Sequence, residues 1–156
     1  MEKLTDSATD LRVVIIGAGM AGILASIKMT DAGYHNHVIY EKSDQLGGTW
    51  RDNTYPGITC DVPAHGYTYS FEPNPDWSQT FAPGPEIKQY FERVADKYDV
   101  RKKICFNESV NYCAFENEGW TIRTTKGREE RADIVIAATG VLHIPSTPKI
   151  DGLERF

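Results

Sequence analysis

The sequence predicts an α/β fold built on a parallel sheet, with a small antiparallel meander added to it. Three observations carry that expectation. An apolar run, Val13-Val14-Ile15-Ile16, leads straight into Gly17-Ala18-Gly19-Met20-Ala21-Gly22. A second run, Val38-Ile39-Tyr40, ends in an acid, Glu41, 19 positions past Gly22. A third, Asp133-Ile134-Val135-Ile136-Ala137, closes on another glycine turn, Ala138-Thr139-Gly140. Short apolar runs without polar alternation suit strands covered on both faces, and strand–helix–strand order gives parallel neighbours. The expected architecture is Rossmann-like.

The elements follow in order. Residues 1–10 are polar and mixed in charge, which reads as a flexible leader, neither a signal nor a transit peptide. Residues 11–16 form the first strand. Met20, Ile23, Leu24 and Ile27 repeat at i, i+3, i+4, i+7 and mark one face of a helix that Gly33 is placed to end. Residues 37–41 are the second strand. From 43 to 83 the pattern is irregular, with Gly47-Gly48, Pro56-Gly57, Pro63, Pro73 and Pro75. Loops of this length are functional or disordered. This one is rich in aromatics (Trp50, Tyr55, Tyr67, Tyr69, Phe71, Trp77, Phe81), so it is expected to be ordered and to wrap something flat.

Gly84-Pro85 opens a second helix with Ile87, Tyr90, Phe91, Val94 and Tyr98 on its apolar face. Strand candidates at 103–106, at Val110-Tyr112-Ala114 and at Trp120-Ile122-Thr124 follow. Turns at Glu118-Gly119 and Lys126-Gly127 make them a meander. Residues 133–138 read as another buried parallel strand. Beyond Gly140, the residues Pro145, Pro148 and Ile150-Asp151-Gly152-Leu153 have the composition of a linker. No further element follows, which reads as a fragment of a longer protein.

Composition narrows the function. The chain has 156 residues, 40% hydrophobic and 25% charged, with a net charge of −5. That is ordinary for a soluble domain with one core. Arg101-Lys102-Lys103 is too short for a nucleic-acid footprint, and no apolar run approaches a membrane span. Cys60, Cys105 and Cys113 are odd in number and lack metal-type spacing, and His35, His37, His65 and His143 are scattered. No metal site is expected, and the cysteines suit a reducing cytoplasm.

The glycine unit carries the chemistry. Gly17 permits a tight strand-to-helix turn, Gly19 lets a pyrophosphate approach bare backbone, and Gly22 lets the helix close on the strand. Unpaired N–H groups and the positive end of the helix dipole complete an anion site. Glu41 can accept hydrogen bonds from ribose hydroxyls, which disfavours a 2′-phosphate there. The unit therefore points to FAD or NAD rather than NADP.

Several motifs occur together and in order: Gly17-x-Gly19-x-x-Gly22, Glu41-Lys42, Gly47-Gly48-Thr49-Trp50, Tyr55-Pro56-Gly57, Cys60-Asp61-Val62-Pro63, Tyr67-Thr68-Tyr69-Ser70-Phe71 and Ala138-Thr139-Gly140. The combination resembles the N-terminal FAD-binding part of the Baeyer–Villiger monooxygenases, within the class B flavoprotein monooxygenases. The likeness runs from about residue 11 to 156.

The resemblance implies an enzyme with two dinucleotide-binding domains that uses FAD, NADPH and O₂. NADPH reduces the flavin, oxygen adds at C4a, and the peroxyflavin converts a ketone or aldehyde into an ester or lactone. By motif, Gly17, Gly19 and Gly22 face the FAD pyrophosphate, Glu41 holds the adenosine ribose, and Lys42 lies on the adenine side. Gly48, Thr49 and Trp50 follow the cofactor toward the flavin; core packing is the alternative for Trp50. Val110 offers strand backbone to adenine, and Thr139 belongs to the second glycine turn at the crevice. Asp61 reaches the flavin ring and, in the family, pairs with an active-site arginine; loop capping is its alternative. Tyr67 sits beside the flavin or packs in its loop.

On this likeness residues 11–142 are the first portion of the FAD-binding domain, and 143–156 lead toward an NADPH domain. The family signature F-x-G-x-x-x-H-x-x-x-W would begin near Phe156. The NADPH domain and the active-site arginine lie outside the chain, so the chain alone is not expected to be catalytically competent. Two other readings stand beside this one: a class B monooxygenase that hydroxylates nitrogen or oxidises sulfur, and a nucleotide-binding module without catalysis.

Overall fold

The computed structural model describes residues 10–141 and 143–155. The leader expected at 1–10, apart from Asp10, lies outside the described residues, as do Leu142 and Phe156. In chain order the elements are β1 (Val13–Ile16), α1 (Met20–Asp31), β2 (His37–Tyr40), α2 (Thr49–Asp52), α3 (Gly84–Lys97), β3 (Ile104–Cys105), β4 (Val110–Glu116), β5 (Gly119–Thr124), β6 (Glu129–Ala132) and β7 (Ile134–Ala137). Short 3-10 turns lie at Ala64–Gly66, Val100–Lys103 and Leu153–Arg155.

Four strands make a parallel sheet in the order β3-β2-β1-β7. Val13, Val14 and Ile15 are wholly buried because β1 is flanked by strands and covered on both faces. The period of two sorts its side chains. Val13 and Ile15, with Ile39, face a layer made by α1 and α3: Ile23 and Ile27 from one helix, Ile87, Phe91 and Val94 from the other. Val14 and Tyr40 face the opposite way, onto Ile122 and Ala132 of the meander. Each fully buried Val, Ile or Phe among them contributes about 1.5–3 kcal/mol. The fold class is the expected one, a Rossmann-like parallel sheet with an antiparallel meander added.

Polar contacts fix the meander to the sheet. Glu130 accepts two hydrogen bonds from Arg12, Nε at 3.0 Å and Nη2 at 2.7 Å. It also accepts the hydroxyl proton of the buried Tyr40. Burial and the Glu130 carboxylate together raise the pKa of that phenol. The buried Glu108 accepts from Thr124 Oγ1 at 2.7 Å and Arg128 Nε at 3.0 Å, while its own N–H donates to the Glu41 carbonyl at 2.9 Å.

Some expectations change. The strand at 103–106 is not part of the meander. Ile104 and Cys105 pair in parallel with Ile39 and Tyr40 and extend the main sheet. The meander's third strand is instead β6, which the strongly charged run Glu129-Glu130-Arg131 conceals. The strand expected as buried at 133–138 is an edge strand here, with Ile134 39% exposed. Met20, the first residue of the helical repeat, is exposed because it sits in the first turn of α1, at the mouth of the glycine loop.

The aromatics of 43–83 mostly do not line a flat surface. Tyr69 and Trp77 are buried, and rings of Tyr67, Tyr69, Phe71 and Trp77 pack against Tyr90, Phe91 and Tyr98. The loop is ordered because it supplies core to α3. Tyr55 and Phe81 are exposed.

Candidate functional site: a glycine-lined cleft at the sheet edge

The register places Ile16 level with Tyr40 and with Ala137, so the loops after β1, β2 and β7 emerge side by side at the carboxyl edge of the sheet. Open α/β sheets bind ligands at this edge. Three glycine-bearing segments meet here: Gly17–Gly22, Gly47–Gly48 and Ala138–Gly140.

The fingerprint glycines have different physical reasons. Gly17 has φ +101°, and a Cβ there would lie 2.6 Å from the Ala138 carbonyl oxygen. A Cβ at Gly22 would lie 1.9 Å from the Gly17 carbonyl oxygen, so only glycine lets α1 close on the turn. Gly19 is unlike both. Its φ of −81° suits any residue, and its Cβ would meet the Gly48 backbone, Cα at 3.5 Å and N at 3.9 Å, in ordinary contact. Among the described residues nothing demands glycine at 19.

What lies beside Gly19 is the amino end of a 12-residue helix with no side-chain cap and no acid in its first turn. The first N–H groups of a helix have no partner within it. Among the described residues, those of Gly19, Met20, Ala21 and Gly22 have no backbone partner elsewhere either. The result is bare main chain, unpaired donors and a positive dipole end, which is a cradle that a side chain would fill.

The second glycine turn docks on the first. Gly47 N–H donates to the Ala18 carbonyl at 3.0 Å, and a Cβ on Gly48 (φ +52°) would come within 3.1 Å of Gly19 Cα. Gly48 then precedes the single turn of α2, where Thr49 is exposed and Trp50 half-buried. Trp50 Nε1 donates to Tyr67 Oη at 3.1 Å, and the two rings meet edge to face at 5.6 Å. Trp50 and Tyr67 therefore brace each other, and both also border the core around Phe91.

Glu41 is 4% exposed, and its carboxylate is held at the end of β2. Oε2 accepts the Ala18 N–H at 2.8 Å, and Oε1 accepts the Ser43 N–H at 3.0 Å and Arg51 Nη1 at 2.9 Å. Lys42 is exposed, with Nζ 3.3 Å from His143 Nε2. Val110 opens β4 two residues past Glu108, whose N–H donates to the Glu41 carbonyl, and is half-buried against the cluster that holds Tyr40. Thr139 is exposed beside the Gly17 turn. Asp61 is exposed on the loop and, among the described residues, makes no ion pair.

Sequence reasoning missed Arg51. Burial works against its charge, and hydrogen bonds to Asp52 and Glu41 outweigh that, so its pKa is raised. Its place in Gly47-Gly48-Thr49-Trp50-Arg51, ten residues past Glu41, was the available clue. A cavity of about 600 Å³ lies beside this segment, lined by Trp50 and Arg51 together with Tyr55, Pro83 and Pro85. Among the described residues no group of three or more His, Cys, Asp or Glu side chains could hold a metal ion.

Residues 14–156 match the sequence model of the family described as pyridine nucleotide-disulphide oxidoreductase. The chain belongs to that family. Within it, the chain is related to Baeyer–Villiger monooxygenases. It is 42% identical over 148 residues to the Baeyer–Villiger monooxygenase of Streptomyces coelicolor, covering 94% of this chain and 28% of that protein. It is 48% identical over 144 residues to an uncharacterized monooxygenase of Mycobacterium tuberculosis, covering 92% of this chain and 29% of the relative.

Among solved structures, an oxidized steroid monooxygenase bound to NADP superposes with a TM-score of 0.84 at 39% identity, over 94% of this chain and 29% of the other. A complex of OTEMO with FAD and NADP gives a TM-score of 0.85 at 33% identity, over 94% of this chain and 28% of the other. The chain thus spans less than a third of the length of the relatives it matches. No helix among its described residues is long and apolar enough to cross a membrane.

Proposed function

We propose that this chain is the FAD-binding portion of an NADPH- and O₂-dependent monooxygenase that converts ketones or aldehydes to esters or lactones. The observation that carries the reading is Gly19, a glycine that no contact among the described residues requires. It stands at unpaired helix N–H groups beside a buried ribose-type acid, in a relative of Baeyer–Villiger monooxygenases. When bound, FAD supplies the redox chemistry: it accepts reducing equivalents from NADPH and activates oxygen toward the carbonyl substrate.

The protein's own groups bind and orient. The Gly19 backbone and the first N–H groups of α1 hold the pyrophosphate, with Gly17 and Gly22 shaping the turn. Glu41 accepts from the adenosine ribose, Lys42 flanks the adenine, and Val110 offers strand backbone to it. Gly48, Thr49 and the braced Trp50–Tyr67 pair lead toward the isoalloxazine, with Thr139 on the far wall. Asp61, exposed and without an ion-pair partner among the described residues, fits a carboxylate that meets an arginine contributed from outside this chain. Residues 11–142 serve as the FAD-binding unit and 143–156 lead toward an NADPH-binding domain. The three free cysteines fit a reducing cytoplasm.

The test is purification of the protein in its full natural length. The reading expects an absorption band near ~450 nm from bound flavin, and NADPH oxidation coupled to insertion of one oxygen atom into a ketone. A colourless protein that takes up no added FAD contradicts it.

A further inference from the structure

We infer that Arg51 is the positioning residue of the ribose site: it fixes the Glu41 carboxylate toward the dinucleotide and locks it to the second glycine turn. This rests on reading the cleft as an FAD site. The geometry is specific. The Arg51 side chain is 10% exposed and that of Glu41 5%. Nη1 donates to Glu41 Oε1 at 2.9 Å and to the Gln45 carbonyl at 2.6 Å. Nε and Nη2 donate to Asp52 Oδ1 at 3.0 and 2.8 Å, which sets the plane of the guanidinium.

An ionised carboxylate offers about four lone-pair sites. Among the described residues Oε1 is filled by Ser43 N–H and Arg51, and Oε2 takes only Ala18 N–H. The remaining acceptor site is therefore on Oε2, on the side of the fingerprint turn, where a ribose hydroxyl would donate. Arg51 saturates the far oxygen and leaves the near one available. Because the same guanidinium grips Gln45 two residues before Gly47, it couples the ribose acid to the turn that docks on Gly19. Lysine could neutralise Glu41 but could not reproduce these bonds, since it is a point charge without a planar fork.

The experiment is a double-mutant cycle on FAD affinity, read by fluorescence titration of FAD into the flavin-stripped protein. The variants are Arg51→Met, Arg51→Lys, Glu41→Gln and the combinations of each Arg51 change with Glu41→Gln. Arg51→Met is expected to weaken FAD about tenfold or more, as loss of a charge-assisted hydrogen bond does. Arg51→Lys recovers part of that loss. With Glu41→Gln already present, either Arg51 change costs no more than about twofold further, because Arg51 acts through Glu41. Losses that multiply, or an Arg51→Met protein with unchanged affinity, overturn the inference. If Arg51→Met does not fold, the lysine cycle separates the same two outcomes. A wild-type protein that binds no FAD removes the flavin reading itself, and this inference with it. A wild type that binds FAD alongside independent variants removes only the role of Arg51.

Discussion

A Cβ at residue 22 would sit 1.9 Å from a backbone oxygen, and one at residue 19 would sit 3.5 Å from Gly48 Cα. The two glycines are therefore needed for different reasons. Gly22→Ala is expected to disrupt the turn and destabilise the whole chain. Gly19→Ala is expected to leave the melting temperature within about 4 °C, since about 1 kcal/mol moves it by 2–4 °C in chains of this size. Its FAD affinity is nevertheless expected to fall at least about tenfold, because the methyl occupies the pyrophosphate cradle. Thermal melts and flavin titration on the same samples separate the two. The glycine spacing and Glu41 were legible in the sequence because the turn, helix and strand that give them meaning are adjacent along the chain. Arg51 was not, because its importance arises only when the chain after β2 folds back onto the acid.

Elements are tied together by a few buried polar contacts. His37, 3% exposed at the start of β2, faces Ser26 of α1 with Oγ 2.8 Å from Nε2, while Nδ1 lies 2.9 Å from the Tyr34 carbonyl oxygen. The carbonyl can only accept, so Nδ1 donates; in the neutral ring, which burial favours, Nε2 accepts from the Ser26 hydroxyl. Burial lowers its pKa; the Tyr34 carbonyl opposes this, and the nearby cations Lys103, His35 and Arg12 reinforce it. The unfolded chain then binds this proton more readily than the folded one. His37 thus costs no stability above the unfolded pKa of about 6.5, and costs it increasingly as pH falls below that value. The slope is at most about 1.4 kcal/mol per pH unit. Denaturation between pH 7 and 5 is expected to show this loss, and His37→Gln to flatten it.

At the other face of the sheet, Glu130→Ala removes the acceptor of Tyr40 and Arg12 together. A cost of about 1–3 kcal/mol in urea denaturation is expected, from donors left unsatisfied. The existence of the main strands and of α3 was legible from apolar runs and helical spacing. The assignment of β3 to the parallel sheet was not, since a two-residue edge strand carries no periodicity. Nor was β6, where Arg131 turns to Thr121 within the meander and Glu130 to Arg12 and Tyr40 of the main sheet, partners that only the folded chain supplies.

At the scale of the molecule, the sheet is a three-layer device that presents loops. The helices and aromatic loop back one face, the meander backs the other, and the carboxyl edge carries the glycine turns and Glu41. This arrangement matches solved flavin monooxygenase structures over most of the chain and under a third of theirs. The proposed function depends above all on one placement: the pyrophosphate of FAD seats on the bare backbone at Gly19, over the amino end of α1. A crystal structure of the protein with FAD would show whether it does. Phosphate oxygens are expected within hydrogen-bond distance of the N–H groups at Gly19 and Met20, with the adenosine ribose on Glu41. Density for the pyrophosphate anywhere else, with that surface bare, would refute the placement.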